Sequence, residues 1–181
     1  GAAIPPMANL IVGQPLLGDK RSERDMVFEL ARRLSFFRAD RYLRNVLAAP
    51  GQLAVVIEAA IALGAEADRE KGATSMITKV AQDFKRSLPP KQLEQVQLIG
   101  KRLRNGRGPL EQANAWLAAT ELTATRAAFL LLGDLETTAR LVASDPPTAS
   151  IHAPMYRLKE LIWFTVSEDC FALRQHLGLL G

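Results

Sequence analysis

The side chains best suited to bind a metal or to attack a substrate are few in this chain: His152, His176 and Cys170. The histidines lie far apart in the sequence. There is no His-x-x-x-His pair, no Cys-x-x-Cys pair and no dense cluster of carboxylates that would suggest a metal site. The glycines match neither a dinucleotide-binding nor a phosphate-loop fingerprint, and no Gly-x-Ser-x-Gly elbow occurs. The residues by themselves therefore predict no active site, no metal and no cofactor.

Each of these side chains also has a structural explanation. His152 lies in the proline-rich segment SDPPTASIHAP and is expected to be exposed to solvent. His176 lies near a predicted helix C-terminus, where the helix dipole favours a charged imidazole. No cation neighbours Cys170 in sequence, so a buried structural thiol is the favoured interpretation. Ser167, which precedes two acids, is predicted to cap a helix rather than to act as a nucleophile.

The elements that carry these residues are predicted to be almost entirely helical. Ser22 is expected to cap the first helix, in which Val27, Leu30, Ala31 and Leu34 follow the i, i+3, i+4, i+7 spacing of one buried face. Prolines and glycines delimit the later helices. These are predicted at 40–47, 50–64, 74–88, 91–104, 110–132 and 134–143. A further helical pattern covers 155–169, and the segment after it continues or restarts that helix before Gly178.

One strand is predicted, over Leu10–Val12, where a short apolar run is closed by Gly13 and Pro15. The fold class is therefore mainly α, with a short β segment near the N-terminus. Residues 1–7 are interpreted as a linker or a remnant of expression, and residues 8–181 as a single domain. No repeat of fixed period is found.

The bulk composition is that of an ordinary globular protein. The 181 residues include 48% hydrophobic and 23% charged residues, with a formal net charge of +4. The longest uninterrupted apolar run, Ala127–Leu132, is far shorter than the roughly 20 residues that a membrane helix needs. A single cysteine permits no intrachain disulfide, which favours a reducing compartment. These features predict a soluble, cytoplasmic protein that does not bind membranes.

A basic stretch runs from Lys91 to Arg107 and carries only Glu94 against its positive charges. Such clustering can mark contacts with nucleic-acid phosphates. The stretch contains no Tyr, Phe or Trp that could stack on bases. A solvated helix end is the favoured interpretation, and weak nucleic-acid binding is kept as an alternative.

Three segments of the chain carry a resemblance to a known family. They are WLAATELTATRAAFLLLGDLETTARLV at 116–142, LKELIWFTVSEDCFALRQHLGL at 158–179, and LIVGQPLLGDKRSERDMVFELARRLSFFRADRYLRNVL at 10–47. Together they resemble the C-terminal domain of large bacterial tetratricopeptide-repeat proteins, over roughly residues 8 to 178. That domain in turn is similar to gluzincin metallopeptidases of the CAAX-prenyl-endopeptidase class, in which His-Glu-x-x-His on one helix and Glu-x-x-x-Asp on a later helix form the zinc site.

The resemblance implies a zincin-like fold whose metal site has degenerated. Leu30 and Leu34 stand where the two histidines would be, and Ala31 stands where the water-activating glutamate would be. Glu121 matches the glutamate ligand, while Thr125 replaces the aspartate. Leucine has no lone pair and a single carboxylate cannot hold zinc, so in this register the zinc-peptidase mechanism is excluded. The resemblance thus implies a metal-free pseudoenzyme.

Glu121 is expected to point toward apolar neighbours, and an unpaired buried carboxylate costs several kcal/mol. We therefore expect it to pair with an arginine, with Arg32 or Arg33 as candidates, or to meet a helix cap or an ordered water. Alternatively, it lies at the rim of a surviving cleft and is solvated.

The favoured function is a non-catalytic protein-interaction or scaffolding module of a larger repeat protein. The candidate partner surface is Phe36, Phe37, Trp163 and Phe164, although Trp163 or Phe164 can instead pack on a neighbouring helix. One alternative is an enzyme of unknown class that reuses the cleft around Glu121. No small-molecule substrate is evident, and the protein partner is not identified by the sequence.

Overall fold

The computed structural model describes residues 10–14, 18, 21–47, 49–65, 75–146 and 150–179. The described residues are mainly helical, as predicted, and contain no strand. A short 3-10 helix, Ser35–Phe37, follows the first α-helix. The α-helices of the described ranges are α1 (Glu23–Leu34), α2 (Leu43–Val46), α3 (Pro50–Gly64), α4 (Ser75–Ser87), α5 (Pro90–Leu103), α6 (Pro109–Leu132), α7 (Leu135–Ser144), α8 (Pro154–Thr165) and α9 (Glu168–His176).

The chain forms two compact units. Unit 1 comprises Gly1–Asn45 and Ala118–Gly181, and unit 2 comprises Val46–Leu117. The first part of α6 belongs to unit 2 and the rest to unit 1. That residues 8–181 form one domain stays a prediction, and each unit is described by itself.

Local signals define the helix ends where they were predicted. The side chains of Ser22, Asp134 and Ser167 accept hydrogen bonds from backbone N–H groups in the first turns of α1, α7 and α9. These contacts satisfy donors that have no partner within the helix. After α6, Gly133 adopts a positive φ of 68°, a conformation that side chains with a Cβ rarely adopt.

The strand predicted over Leu10–Val12 is not present. Residues 10–13 have no regular secondary structure, and the Ile11 side chain is 91% exposed. A short apolar run becomes a strand only where another strand offers backbone partners. The described part of the chain contains no such partner strand.

The predicted buried face of α1 is also wrong. Val27 is 37% exposed and Leu34 is 55% exposed, while Leu30 is half-buried and Ala31 alone of the four is buried. The interior face instead carries Phe28, which is fully buried, together with charged side chains. The predicted apolar face is therefore displaced around the helix from the side that lies in the interior.

Charged residues enter the interior of unit 1 because each has a partner. Asp25 on α1 accepts a hydrogen bond from Arg140 of α7 at 2.5 Å. Arg32, also on α1, forms an ion pair with Asp145 at 2.7 Å. Buried charges are tolerated when they are paired in this way. Burial opposes ionisation of Asp25, but hydrogen bonds from Arg140 and Ser22 outweigh it and lower its pKa.

The apolar core of unit 1 lies in two clusters of buried side chains. In one cluster, α1, α6 and α7 meet; in the other, α6, α8 and α9 meet. Phe129 and Phe164 of the second cluster contact each other edge to face, with ring centroids 6.3 Å apart. The buried members are Phe28, Ala31, Ala128, Leu141 and Val142 in the first cluster and Phe129, Leu161, Phe164 and Cys170 in the second.

Unit 2 is built on a close contact between α3 and α5. A Cβ added at Gly100 of α5 would lie 1.9 Å from the carbonyl oxygen of Ala60 on α3. A Cβ added at Gly64 would lie 2.6 Å from the Gln97 carbonyl oxygen. Only residues without a side chain permit such an approach of two backbones. A separate cluster of Leu53, Ala54, Ala113 and Leu117 forms the apolar core of this unit.

By length and composition alone, α6 could cross a membrane. This 24-residue helix contains a window of mean hydropathy 1.2, of which 50% is buried inside the protein. The sequence-based prediction considered only the shorter run Ala127–Leu132 and missed this. Glu121 and Arg126 place two charges in this apolar helix, and each is paired with a charge of another element. Such charge pairs are typical of the core helix of a globular protein. A core helix of this kind also meets the length and hydropathy criteria for a membrane span.

Candidate functional site

Glu121 is a buried, paired carboxylate in the second part of α6. It is 4% exposed, and its Oε1 accepts a hydrogen bond from Nη2 of Arg44 at 2.9 Å. Its Oε2 accepts a hydrogen bond from the Ser150 hydroxyl. The expectation of an arginine partner is confirmed in kind, but the residue is Arg44 rather than Arg32 or Arg33. Arg32 pairs with Asp145 instead.

Thr125 lies one turn after Glu121 and is 2% exposed. Its hydroxyl donates to the backbone carbonyl of Glu121 at 3.0 Å, which is the usual back-bond of a threonine inside a helix. The threonine thus satisfies its own polar group locally. Its hydroxyl adds no donor to the Glu121 carboxylate.

A cavity of about 790 Å³ lies in unit 1, beside Glu121. Its lining includes Leu30 from α1, Glu121 from α6 and the irregular segment around Ile11. Two of the five positions assigned to a former metal site, Leu30 and Glu121, therefore face one cavity. Ala31 and Thr125 are buried outside its lining, and Leu34 is exposed.

The charged lining of this cavity contains one more arginine than carboxylates. Arg21, Arg32, Arg33 and Arg44 line it, against the carboxylates of Glu29, Glu121 and Asp145. Two of the three carboxylates, those of Glu121 and Asp145, are already held by arginines.

Asp145 joins two guanidinium groups beside the cavity. Its Oδ2 lies 2.7 Å from Arg32 and 2.6 Å from Arg157, and Arg157 is 1% exposed. Burial opposes ionisation of Asp145, but the hydrogen bonds and charges of both arginines outweigh it and lower its pKa. Two positive charges therefore share one carboxylate.

The residues best suited to metal binding are not brought together. No group of three or more His, Cys, Asp or Glu side chains able to hold a metal occurs among the described residues. His152 is half-buried, contrary to expectation, because its ring packs on Tyr156 with centroids 4.3 Å apart. His176 is exposed in the last turn of α9. Cys170 is 2% exposed, as expected of a structural thiol, and burial raises its pKa.

The four aromatic residues of the candidate partner surface have different environments. Phe36 is 5% exposed and Phe164 is 8% exposed, so neither offers an accessible surface. Phe37 is half-buried, with its ring centroid 6.4 Å from that of Tyr42. Trp163 is 73% exposed. Trp163 is therefore the one residue of the four whose side chain is largely accessible to a partner.

Trp163 belongs to a larger apolar surface on α8. The helix buries Arg157, Leu161 and Phe164 on its inner side. Its opposite side, which we call the α8 outer face, carries large exposed apolar side chains at helical spacing. The α8 outer face consists of Met155, Tyr156, Lys159, Ile162, Trp163 and Val166.

Several of these contacts could not be found from the sequence. Arg44 and Ser150 lie far from Glu121 along the chain, and Arg44 belongs to a helix of only four residues. No spacing rule connects such positions. The α8 outer face was only partly recognised, through the consecutive bulky residues Ile162–Phe164. Met155 and Val166 complete it at helical spacing and could have been assigned to it by the same periodicity.

The basic stretch of unit 2 is largely solvated. Lys91, Lys101, Arg102 and Arg104 are exposed, and Arg107 forms an exposed ion pair with Glu111 at 3.5 Å. These positions suit either a solvated helix end or contact with a polyanion. Nucleic-acid binding stays a prediction.

Comparisons with protein-family models, with curated proteins and with solved structures find no match.

Proposed function

We propose that this protein is a non-catalytic, metal-free interaction module that binds another protein through the α8 outer face. The observation that carries this proposal is the exposure of Trp163, at 73%, among neighbouring apolar side chains. Contiguous exposed apolar surface is characteristic of interaction sites. Tryptophan is also among the residues that contribute most to binding free energy when a partner buries them.

The pattern of α8 supports a helix that a partner covers. The inner side of α8 packs in the second core cluster through Leu161 and Phe164. The outer side exposes Met155 by 65%, Ile162 by 54% and Val166 by 67%. A helix with apolar residues on both sides is expected to be buried on both sides. The α8 outer face thus fits a second helix that lies along it.

Lys159 indicates which charge a partner of the α8 outer face should carry. This exposed side chain lies at the centre of the otherwise apolar α8 outer face and forms no ion pair with a described residue. In a symmetric pair of copies, the central residues of the shared surface approach each other, which would oppose two lysines. We therefore infer a partner helix from another protein, with apolar residues flanking a carboxylate that faces Lys159.

The contacts of Glu121 support the non-catalytic part of the proposal. Its two oxygens are occupied by Arg44 and Ser150, so the carboxylate does not present a free base to the cavity. Leu30, which lines the same cavity, offers no metal ligand. The proposal includes the resemblance to a degenerate gluzincin domain of a cytoplasmic, bacterial tetratricopeptide-repeat protein. Zinc analysis after metal loading and dialysis should find no stoichiometric zinc, and one bound zinc per chain would contradict it.

Photocrosslinking tests the interaction directly. A p-benzoyl-phenylalanine placed at Trp163 should yield a discrete adduct in cells, and the crosslink should map to an acidic, apolar helix of another protein. The same group at Lys85, an exposed position of α4, is the control and should not yield this adduct. The absence of an adduct at Trp163 would contradict the proposal. So would mapping to a second copy of this chain, to a nucleic acid or to a lipid.

A further inference from the structure

We propose that the arginine-lined cavity of unit 1 binds a small organic anion that carries an apolar chain or ring. This inference concerns a site distinct from the α8 outer face and does not depend on the proposed protein partner. Its anionic group would be a carboxylate or a phosphate. The argument rests on the charges of the cavity, its apolar wall and its size.

Two guanidinium groups of the cavity have no ionic partner among the described residues. Arg21 and Arg33 both line the cavity and are exposed to solvent. Arg44 and Arg32, by contrast, hold Glu121 and Asp145. A ligand anion would therefore find the internal carboxylates already neutralised and the two outer guanidiniums available.

The charged residues that lie behind the cavity wall also favour the binding of an anion. Asp145 is shared by Arg32 and by the buried Arg157, so this cluster keeps a surplus positive charge. A guanidinium that is partly shielded from water interacts more strongly with an anion than one in bulk solvent. Glu29 also lines the cavity and opposes this effect with one negative charge. The lining as a whole remains positive.

Apolar side chains also line the cavity. Leu30 and Phe36 contribute to it from the α1 region, and Leu10, Ile11 and Val12 contribute from the irregular segment. Such a wall would remove an aliphatic or aromatic group from water while the anion stays near Arg21 and Arg33. A volume of about 790 Å³ lies within the range of small-ligand sites. An inorganic anion alone would leave the apolar wall unused.

Ligand-detected NMR and calorimetry with four probes test this site. Octanoate and octyl phosphate combine an anion with an apolar chain, whereas octanol lacks the charge and acetate lacks the chain. We expect octanol and acetate to bind at least about tenfold more weakly than the better of the two amphipathic anions, the loss expected for one good polar contact or an equivalent apolar area. The ratio of octanoate to octyl phosphate identifies the preferred anionic group.

Substitutions locate the binding. Arg33→Met and Arg21→Met should each weaken the preferred probe by about tenfold, and Arg33→Lys should retain part of the affinity. Both positions are exposed, so these variants should fold. Arg102→Met removes an exposed charge outside the cavity and is the matched control. Lys159→Gln should also leave binding unchanged, which separates this site from the α8 outer face.

Three results would overturn the inference. The first is equal affinity for octanoate, octyl phosphate and octanol, because the guanidiniums would then contribute nothing. The second is undiminished binding to both Arg21→Met and Arg33→Met. The third is the absence of saturable binding by either amphipathic anion. None of these results bears on the photocrosslink at Trp163.

Discussion

Arg44 of α2 donates a hydrogen bond to the Glu121 carboxylate of α6 at 2.9 Å, and only 5% of the Glu121 side chain is exposed. This charge pair joins the short helix α2 to the interior of unit 1, together with a hydrogen bond from Asn45 to the Phe36 carbonyl oxygen at 3.0 Å. Glu121 is one of the five positions that the family resemblance assigned to a former metal site. Both of its carboxylate oxygens accept hydrogen bonds, from Arg44 and Ser150.

Removal of Arg44 should therefore destabilise unit 1. Truncating one partner of a buried pair leaves an uncompensated charge, and Arg44→Met is expected to cost about 3 kcal/mol of unfolding free energy. Glu121→Gln should be milder because the amide can still accept a hydrogen bond. The double variant should be more stable than the sum of the single effects implies, by about 1–2 kcal/mol. Urea unfolding measures all three.

Arg38→Met is the matched control for this cycle. Arg38 forms an exposed ion pair with Asp40, and the Arg38 side chain is 69% exposed. Exposed pairs contribute little to stability, so this variant should unfold like the wild type. Strictly additive effects of Arg44→Met and Glu121→Gln would show that the two side chains are not energetically coupled.

Asp145 should make unit 1 sensitive to acid. Its pKa is lowered in the folded protein, so the stabilisation is complete above its ordinary pKa of 3.8 and is lost as the pH falls through the lower folded value. Asp145→Asn should cost about 3 kcal/mol near neutral pH, because Arg157 loses its buried partner. The variant should also lose stability less steeply below pH 4 in urea unfolding.

Asp83→Asn is the comparison for Asp145→Asn near neutral pH. Asp83 is exposed on α4, and its replacement should leave the unfolding free energy unchanged. An Asp145→Asn protein as stable as the wild type would contradict the role of the shared carboxylate.

The contact between α3 and α5 should tolerate no side chain at Gly100. A Cβ there would lie 1.9 Å from the Ala60 carbonyl oxygen, so Gly100→Ala is expected to cost about 3 kcal/mol or to separate the helices. Gly51→Ala is the control, because no atom lies within 4 Å of its added Cβ. Within a helix that change should stabilise by up to about 1 kcal/mol. Equal melting temperatures of Gly100→Ala and wild type would disprove the close approach.

Cys170 should be unreactive in the folded protein. It is 2% exposed, and burial raises its pKa although Arg174 opposes the shift. Labelling with a thiol reagent at neutral pH should be many times slower than in denaturant, since the thiolate is the reactive form. A Phe171→Cys substitution in a Cys170→Ser background moves the thiol to an exposed position and should react fast. Rapid labelling of native Cys170 would show that the second core cluster opens.

Local features of this fold were predictable, and pairings between distant residues were not. Pro50 and Gly133 define helix ends through backbone geometry that acts within a few residues, and the predicted boundaries at these residues agree closely with the structure. The interior face of α1 was mispredicted because Asp25 and Arg32 are buried with partners from elsewhere in the chain. A prediction from hydrophobic periodicity assigns charged residues such as these to the exposed side of the helix.

The candidate site was predictable to the same extent. The apolar helix face of Glu121 predicted a buried carboxylate that needs a polar partner, with an arginine as one of several possibilities. The choice of Arg44 depends on how the chain returns to α6. The arginine-lined cavity combines α1, the 3-10 helix, α2 and α6 with irregular segments. No single stretch of sequence contains enough of it to reveal it.

The affinity of Lys159 and Trp163 variants for the crosslinked partner tests the proposed function most directly. Trp163→Ser should weaken binding by at least about tenfold, because it removes the most exposed anchor of the α8 outer face. Lys159→Glu should weaken it by about tenfold, and a lysine in place of the facing partner carboxylate should restore it. Wild-type affinity in both single variants would contradict an interface at the α8 outer face.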